Sequence, residues 1–124
     1  MVNLTIKGTS RTPEIDFNIE GEIRIMGRSI PEDAGLFYNH LYSCIFKYCI
    51  DPKPVTKVFI ELEYMNSGSS KSILQLLREL TNISNDNHTV TFHWYYEIGD
   101  EDMLEKGEYF EAILKHPFSF IETY

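Results

Sequence analysis

Read by the spacing of its apolar positions, the chain opens with short period-two segments. Leu4-Thr5-Ile6 predicts a short strand. Residues 14–19 and 22–26 alternate apolar and charged side chains around Glu20-Gly21, which predicts an N-terminal β-hairpin. Ser29-Ile30-Pro31-Glu32 then places Glu three residues after Ser, with Pro at a position tolerated in a first turn, so a helix is predicted to begin there. Ala34, Phe37, Tyr38, Leu41, Ile45 and Tyr48 recur every three or four residues and give that helix one buried face. Asp51-Pro52-Lys53-Pro54 stops it, because Pro lacks the backbone donor and disfavours helix in the residue before it.

From residue 55 to 64 the period returns to two, with Val58, Ile60, Leu62 and Tyr64 expected on one face and Lys57, Phe59, Glu61 and Glu63 on the other. Asn66-Ser67-Gly68-Ser69-Ser70 breaks that pattern. Ile73, Leu76, Leu77, Leu80 and Ile83 restore a helical stripe. Residues 89–97 alternate again, Met103, Gly107, Phe110 and Leu114 mark a third helix over residues 102–114, and residues 118–121 read as a last strand. Strands alternating with helices after a hairpin predict an α/β fold. The expectation is a single domain over residues 1–124, a mixed β-sheet with an N-terminal hairpin and about three helices packed on it.

Composition agrees with one packed core: the 124 residues are 43% hydrophobic, with eight Phe, eight Tyr and one Trp. The formal net charge of −8 argues against nucleic acid and anionic membrane as partners, both of which select for basic patches. Cys44 and Cys49 lie five apart in a predicted helix, about 140° apart around its axis, and so read as free thiols in a reducing compartment. No run approaches 18 apolar residues, and the first twelve residues lack the apolar stretch of a secretion signal, so a cytoplasmic protein is expected.

The most informative segment for chemistry is residues 64–71, Tyr-Met-Asn-Ser-Gly-Ser-Ser-Lys, which places hydroxyls where a strand gives way to a helix. Unpaired first-turn N–H groups and the helix dipole would tolerate a phosphate there. From the serines alone, the commoner use is helix capping by Ser67 or Ser69. Neither G-x-x-x-x-G-K-[ST], G-x-G-x-x-G nor G-x-S-x-G occurs, which argues against a nucleotide loop and a nucleophile elbow. His40, His88, His93 and His116 are scattered and match no metal motif, so no metal or cofactor is expected. The acidic run Glu97, Asp100, Glu101, Asp102 and Glu105 lacks EF-hand spacing and reads as helix N-terminal charge.

Several separated motifs resemble the SiaC family of bacterial regulatory phosphoproteins, relatives in fold of STAS anti-sigma factor antagonists. They are Gly8-Thr9 with Thr12-Pro13-Glu14-Ile15, Gly27-Arg28-Ser29-Ile30-Pro31-Glu32, Leu62-Glu63-Tyr64-Met65-Asn66-Ser67 with Ser69-Ser70-Lys71, Trp94-Tyr95-Tyr96, and Asp100-Glu101-Asp102-Met103 with Gly107-Glu108. The resemblance implies a STAS-like domain that is substrate and ligand, not enzyme, with Ser67 as the phosphorylation site and Ser69 and Ser70 as the alternatives. Family members often carry another hydroxyl residue where this chain has Gly68, and Asn-Ser-Gly is closer to the turn of STAS proteins. The partners implied are a protein serine/threonine kinase, a metal-dependent phosphatase, and a target such as a diguanylate cyclase bound by the unphosphorylated form. Adjacency to Ser67 nominates Met65, Asn66, Gly68, Lys71, Leu74 and Arg78 as partner contacts. Two other readings are an anti-sigma factor antagonist that captures an anti-sigma kinase through the same corner, and a small hydrolase or metal-dependent enzyme using the acidic run with His88 or His93.

Overall fold

The alternation in the sequence closes into one sheet. A computed structural model describes residues 3–124 and orders the elements as β1 (Leu4–Ile6), β2 (Glu14–Asn18), β3 (Glu22–Ser29), α1 (Ala34–Tyr48), β4 (Val55–Met65), α2 (Ser67–Thr81), β5 (Thr89–Glu97), α3 (Glu101–Leu114) and β6 (Phe118–Thr123). The six strands lie side by side in chain order. The pairs β1–β2 and β2–β3 are antiparallel; β3–β4, β4–β5 and β5–β6 are parallel, each joined through a helix. Right-handed crossovers that always step in the same direction put all three helices on one face of the sheet. This is the mixed α/β architecture that the periodicities predict.

The core lies between that face and the helices. Ile15, Phe17, Ile23, Ile25, Val58, Ile60, Val90, Phe92 and Trp94 from the strands meet Tyr38, Leu41, Ile45, Ile73, Leu77, Leu80 and Phe110 from the helices. Burying each large side chain contributes about 1.5–3 kcal/mol, before the conformational entropy it costs. Gly21 turns the β2–β3 hairpin at φ 106°, where an added Cβ would also lie 2.6 Å from the Val55 carbonyl oxygen.

Two local expectations are corrected. First, α1 does not start from a capping box at Ser29. Ser29 ends β3, paired with Met65, and the helix begins at Ala34 with Asp33 as its cap, the Asp33 carboxylate accepting from the Leu36 N–H at 3.0 Å. Second, Tyr64 does not share a face with Leu62. Between β3 and β4 the register passes from Gly27↔Leu62 to Arg28↔Tyr64, so Glu63 is an extra residue on β4. That bulge flips the alternation, leaving Tyr64 exposed and Met65 buried.

Candidate functional site

Beyond the bulge, β4 ends and α2 begins within one residue. Asn66, in an extended conformation, is the cap of α2: its side-chain oxygen accepts from the Ser69 N–H at 2.9 Å. Its amide nitrogen donates to the Pro31 carbonyl at 3.1 Å, and its backbone N–H donates to the Ser29 carbonyl at 3.0 Å. The corner is therefore fastened to the segment after β3. That segment is fastened in turn to the loop before β2, where the Arg11 carbonyl accepts from the Ile30 N–H at 2.8 Å. Three of the family motifs, far apart in sequence, thus meet at one place. Because Asn66 supplies the cap, neither Ser67 nor Ser69 has that duty, and Ser67 stands exposed at the first position of α2.

The neighbouring hydroxyls are in a different situation. Ser69 is 0% exposed. Its Oγ donates to the Ser29 carbonyl at 3.0 Å and accepts from the Ser29 hydroxyl at 2.7 Å. Since the Ser29 proton is committed to Ser69, the 2.6 Å contact between Ser29 Oγ and Tyr38 Oη has the phenol as donor. The result is a one-way chain from Tyr38 through Ser29 and Ser69 to a carbonyl. Burial pushes the Tyr38 phenol up to about 12, against a smaller downward pull from Ser29, which keeps it a donor. As an alternative phosphorylation site, Ser69 is withdrawn by this burial, whereas Ser70 is half-buried on the same turn.

The nominated contacts separate by position. Met65 is 1% exposed and is corrected from partner contact to core residue, because the bulge turns it inward. Asn66 is half-buried and occupied by the bonds above. Gly68 packs against the start of α1, where an added Cβ would lie 3.2 Å from Ala34 Cβ. Lys71 and Arg78 are exposed along the outer crest of α2, and Leu74 is half-buried on the flank away from α1. An open cavity of ≈ 520 Å³ beside the corner is lined by Glu32, Asp33, Gly35, Gly68, Lys71 and Gln75 among others. A second of ≈ 170 Å³ shares Gly35, Ser72 and Gln75 and extends toward Tyr42, so one groove runs between α1 and α2 from the Ser67 corner. Sequence reasoning missed Gly35, Ser72 and Gln75, whose pattern is that of ordinary surface residues.

The residues considered for enzyme chemistry are placed apart. His93 stacks on Phe59 with ring centroids 4.6 Å apart on the uncovered sheet face, and burial, then Lys57 and Arg24, hold its imidazole below the usual range. His88 and His116 do share the wall of a ≈ 380 Å³ cavity, but each is engaged, with the Asn85 side chain and the Val90 carbonyl respectively. Asp100 caps α3 by accepting from the Met103 N–H at 3.0 Å. Among the described residues, no three His, Cys, Asp or Glu side chains come together as a metal site, and no helix is long and apolar enough to cross a membrane.

Comparison with known proteins places this arrangement. An uncharacterized protein of Pseudomonas aeruginosa strain UCBPP-PA14 is 25% identical over 120 residues, covering 96% of this chain and 95% of its own. The structure of SiaC of P. aeruginosa superposes with a TM-score of 0.88 at 22% identity over 99% of this chain and 100% of that one. SiaC in the crystal structure of the diguanylate cyclase SiaD in complex with its activator SiaC, also from P. aeruginosa, gives 0.88 at 24% identity over 97% and 99%. At these identities the structural likeness establishes the fold. Residues 6–123 match the SiaC family of regulatory phosphoproteins, so the chain belongs to the SiaC family.

Proposed function

We propose that this protein is a phosphorylation-switched regulator whose unphosphorylated form binds and controls a target such as a diguanylate cyclase, and that Ser67 carries the switch. A kinase adds the phosphate and a metal-dependent phosphatase removes it; the chain itself is substrate and ligand, with no cofactor. The observation that carries this reading is the contrast within one turn. Ser67 is exposed on a rigid, fully bonded corner, while Met65 and Ser69 on either side are buried. The P. aeruginosa SiaC described above as an activator of SiaD supports a cyclase as the class of target.

The physics of the switch follows from the surroundings. Phosphate adds about −1.5 to −2 charges. It would sit on the exposed side of the first turn of α2, next to Gly68 of a cavity whose wall already holds Glu32 and Asp33, with Lys71 one helical turn along as the cation of that wall. The first-turn N–H groups of α2 tolerate the charge in the free protein. A partner seated over the corner without a matching Arg must bury it unpaired, at a cost of several kcal/mol, or about a hundredfold or more in affinity. Phosphosite mapping of protein from its native host, beside Ser67→Ala, tests the acceptor. Titration of Ser67→Ala and Ser67→Asp against a diguanylate cyclase of the same host tests the switch. The expected result is one phosphate, absent in Ser67→Ala, and binding lost in Ser67→Asp alone; equal binding by the two variants refutes the switch.

A further inference from the structure

We propose that the buried hydroxyl chain Tyr38–Ser29–Ser69 is the positioning device that selects Ser67, and not its neighbour two residues on, as the phosphoacceptor of the corner. This rests on the switch reading above. Phosphoryl transfer requires a serine Oγ to attack the γ-phosphorus of a nucleoside triphosphate bound by the kinase. The Oγ–P bond forms as the bridge to the β-phosphate breaks, the diphosphate leaves, and the hydroxyl proton passes to a kinase base. At Ser69 both requirements are blocked. Its proton is held by the Ser29 carbonyl at 3.0 Å, one lone pair is taken by the Ser29 hydroxyl at 2.7 Å, and the residue is 0% exposed.

The chain reaches three elements: Tyr38 lies on α1, Ser29 ends β3 and Ser69 is in the first turn of α2. All three residues are at most 2% exposed, so no water competes for their bonds. Modification of Ser69 therefore needs the first turn of α2 to open, and the hydroxyl chain opposes that opening. Tyr38 and Ser29 touch no phosphate and act only through Ser69, which makes them positioning residues for acceptor choice.

The test is the double variant Ser29→Ala/Tyr38→Phe. It removes two hydroxyls together and with them the donor to Ser69 Oγ, while Ser69 keeps its bond to the residue 29 carbonyl, so no buried side chain is left without a partner and the fold is expected to survive. The control is Thr56→Val/Tyr48→Phe, which removes a second buried hydroxyl pair, bonded at 2.7 Å at the other end of α1, together with the Tyr48 acceptor of the Lys53 N–H at 3.2 Å. Amide hydrogen exchange is read at Ser69 and Ser70 against Leu76 and Leu77 in the same helix, and phosphosites are mapped on protein from the native host. The expected result for Ser29→Ala/Tyr38→Phe is exchange about fivefold faster in the first turn only, as for loss of the one net hydrogen bond between the Ser29 hydroxyl and Ser69, with part of the phosphate moved to Ser69. The control is expected to keep all phosphate on Ser67. Phosphate that stays on Ser67 in Ser29→Ala/Tyr38→Phe, or equal redistribution in the control, overturns the proposal. A wild-type chain with no phosphate at Ser67 overturns instead the switch reading beneath it, and first-turn exchange then still reports whether the hydroxyl chain clamps the turn.

Discussion

Asn66 offers a measurable test of how the corner is held. Its side chain makes two bonds, one from the Ser69 N–H and one to the Pro31 carbonyl. Truncation by Asn66→Ala removes the cap, about 1 kcal/mol, and a half-buried bond whose carbonyl partner is left unpaired, about 1 kcal/mol more. Asn66→Asp keeps the capping acceptor and adds a charge favoured by the helix dipole, but it cannot donate to Pro31 and sets a carboxylate against a carbonyl. It should recover about half of the loss. With a urea slope of about 1.5 kcal/mol/M, the Asn66→Ala midpoint should fall by about 1.3 M and the Asn66→Asp midpoint by about half that. The assay is urea unfolding at pH 7 followed by the emission of Trp94, the one tryptophan in the chain. A shift under about 0.3 M for Asn66→Ala, or an Asp variant less stable than the Ala variant, refutes the reasoning that these two bonds hold the corner.

Other outcomes follow from the same structure. In Gly107→Ala the new Cβ would meet Trp94 Nε1 at 2.6 Å and Phe120 at 2.8 Å, so overpacking should outweigh the better helix propensity and destabilise the protein by about 1–2 kcal/mol, read as a lower thermal midpoint. The Tyr38 phenol, raised in the folded state, favours folding at pH values below the unfolded value near 10, and that contribution is lost as pH rises toward about 12; Tyr38→Phe should flatten the alkaline limb of a stability–pH curve. His93 is shifted the other way, so its contribution is present above about pH 6.5 and lost as pH falls through its lowered folded value; His93→Gln should reduce the loss of stability between pH 7 and 5. Burial, then Glu79, raises the Cys49 thiol to about 11, so it should react with iodoacetamide far more slowly at pH 7.5 than an unfolded-state cysteine does.

Periodicity carried most of the architecture. The residues read as β5 match its observed span, and the stripes of α1 and α2 pointed to the faces that are buried, because burial against a sheet imposes those periods on the chain. What it could not show is where the period slips. The Glu63 bulge leaves Tyr64 and Met65 looking like a normal continuation, and only pairing with β3 reveals that they exchange faces. The start of α1 escapes the pattern for a related reason: Ser29 and Glu32 have the spacing of a capping box, but Ser29 is held in a parallel ladder and donates its hydroxyl to Ser69, forty residues away. The corner as a location was legible from residues 64–71; which of its serines faces solvent was not, since that depends on α1 and β3 together.

One further consequence concerns the order in which the molecule assembles. Strand order equals chain order, so each new strand of the parallel half docks on the one laid down before it, and no strand waits for a later one to be inserted between its neighbours. Every bonded partner of the Ser67 corner described above lies between Arg11 and Ser70, and α2 closes at Thr81. During synthesis the Ser67 corner can therefore reach its native hydrogen bonding while β5, α3 and β6 are still being added, with the C-terminal half completing the sheet's far edge rather than building that corner. Pulse proteolysis of chains stalled after α2 should find the corner protected, and a corner that stays open until β6 is present would show that the sheet condenses as one unit.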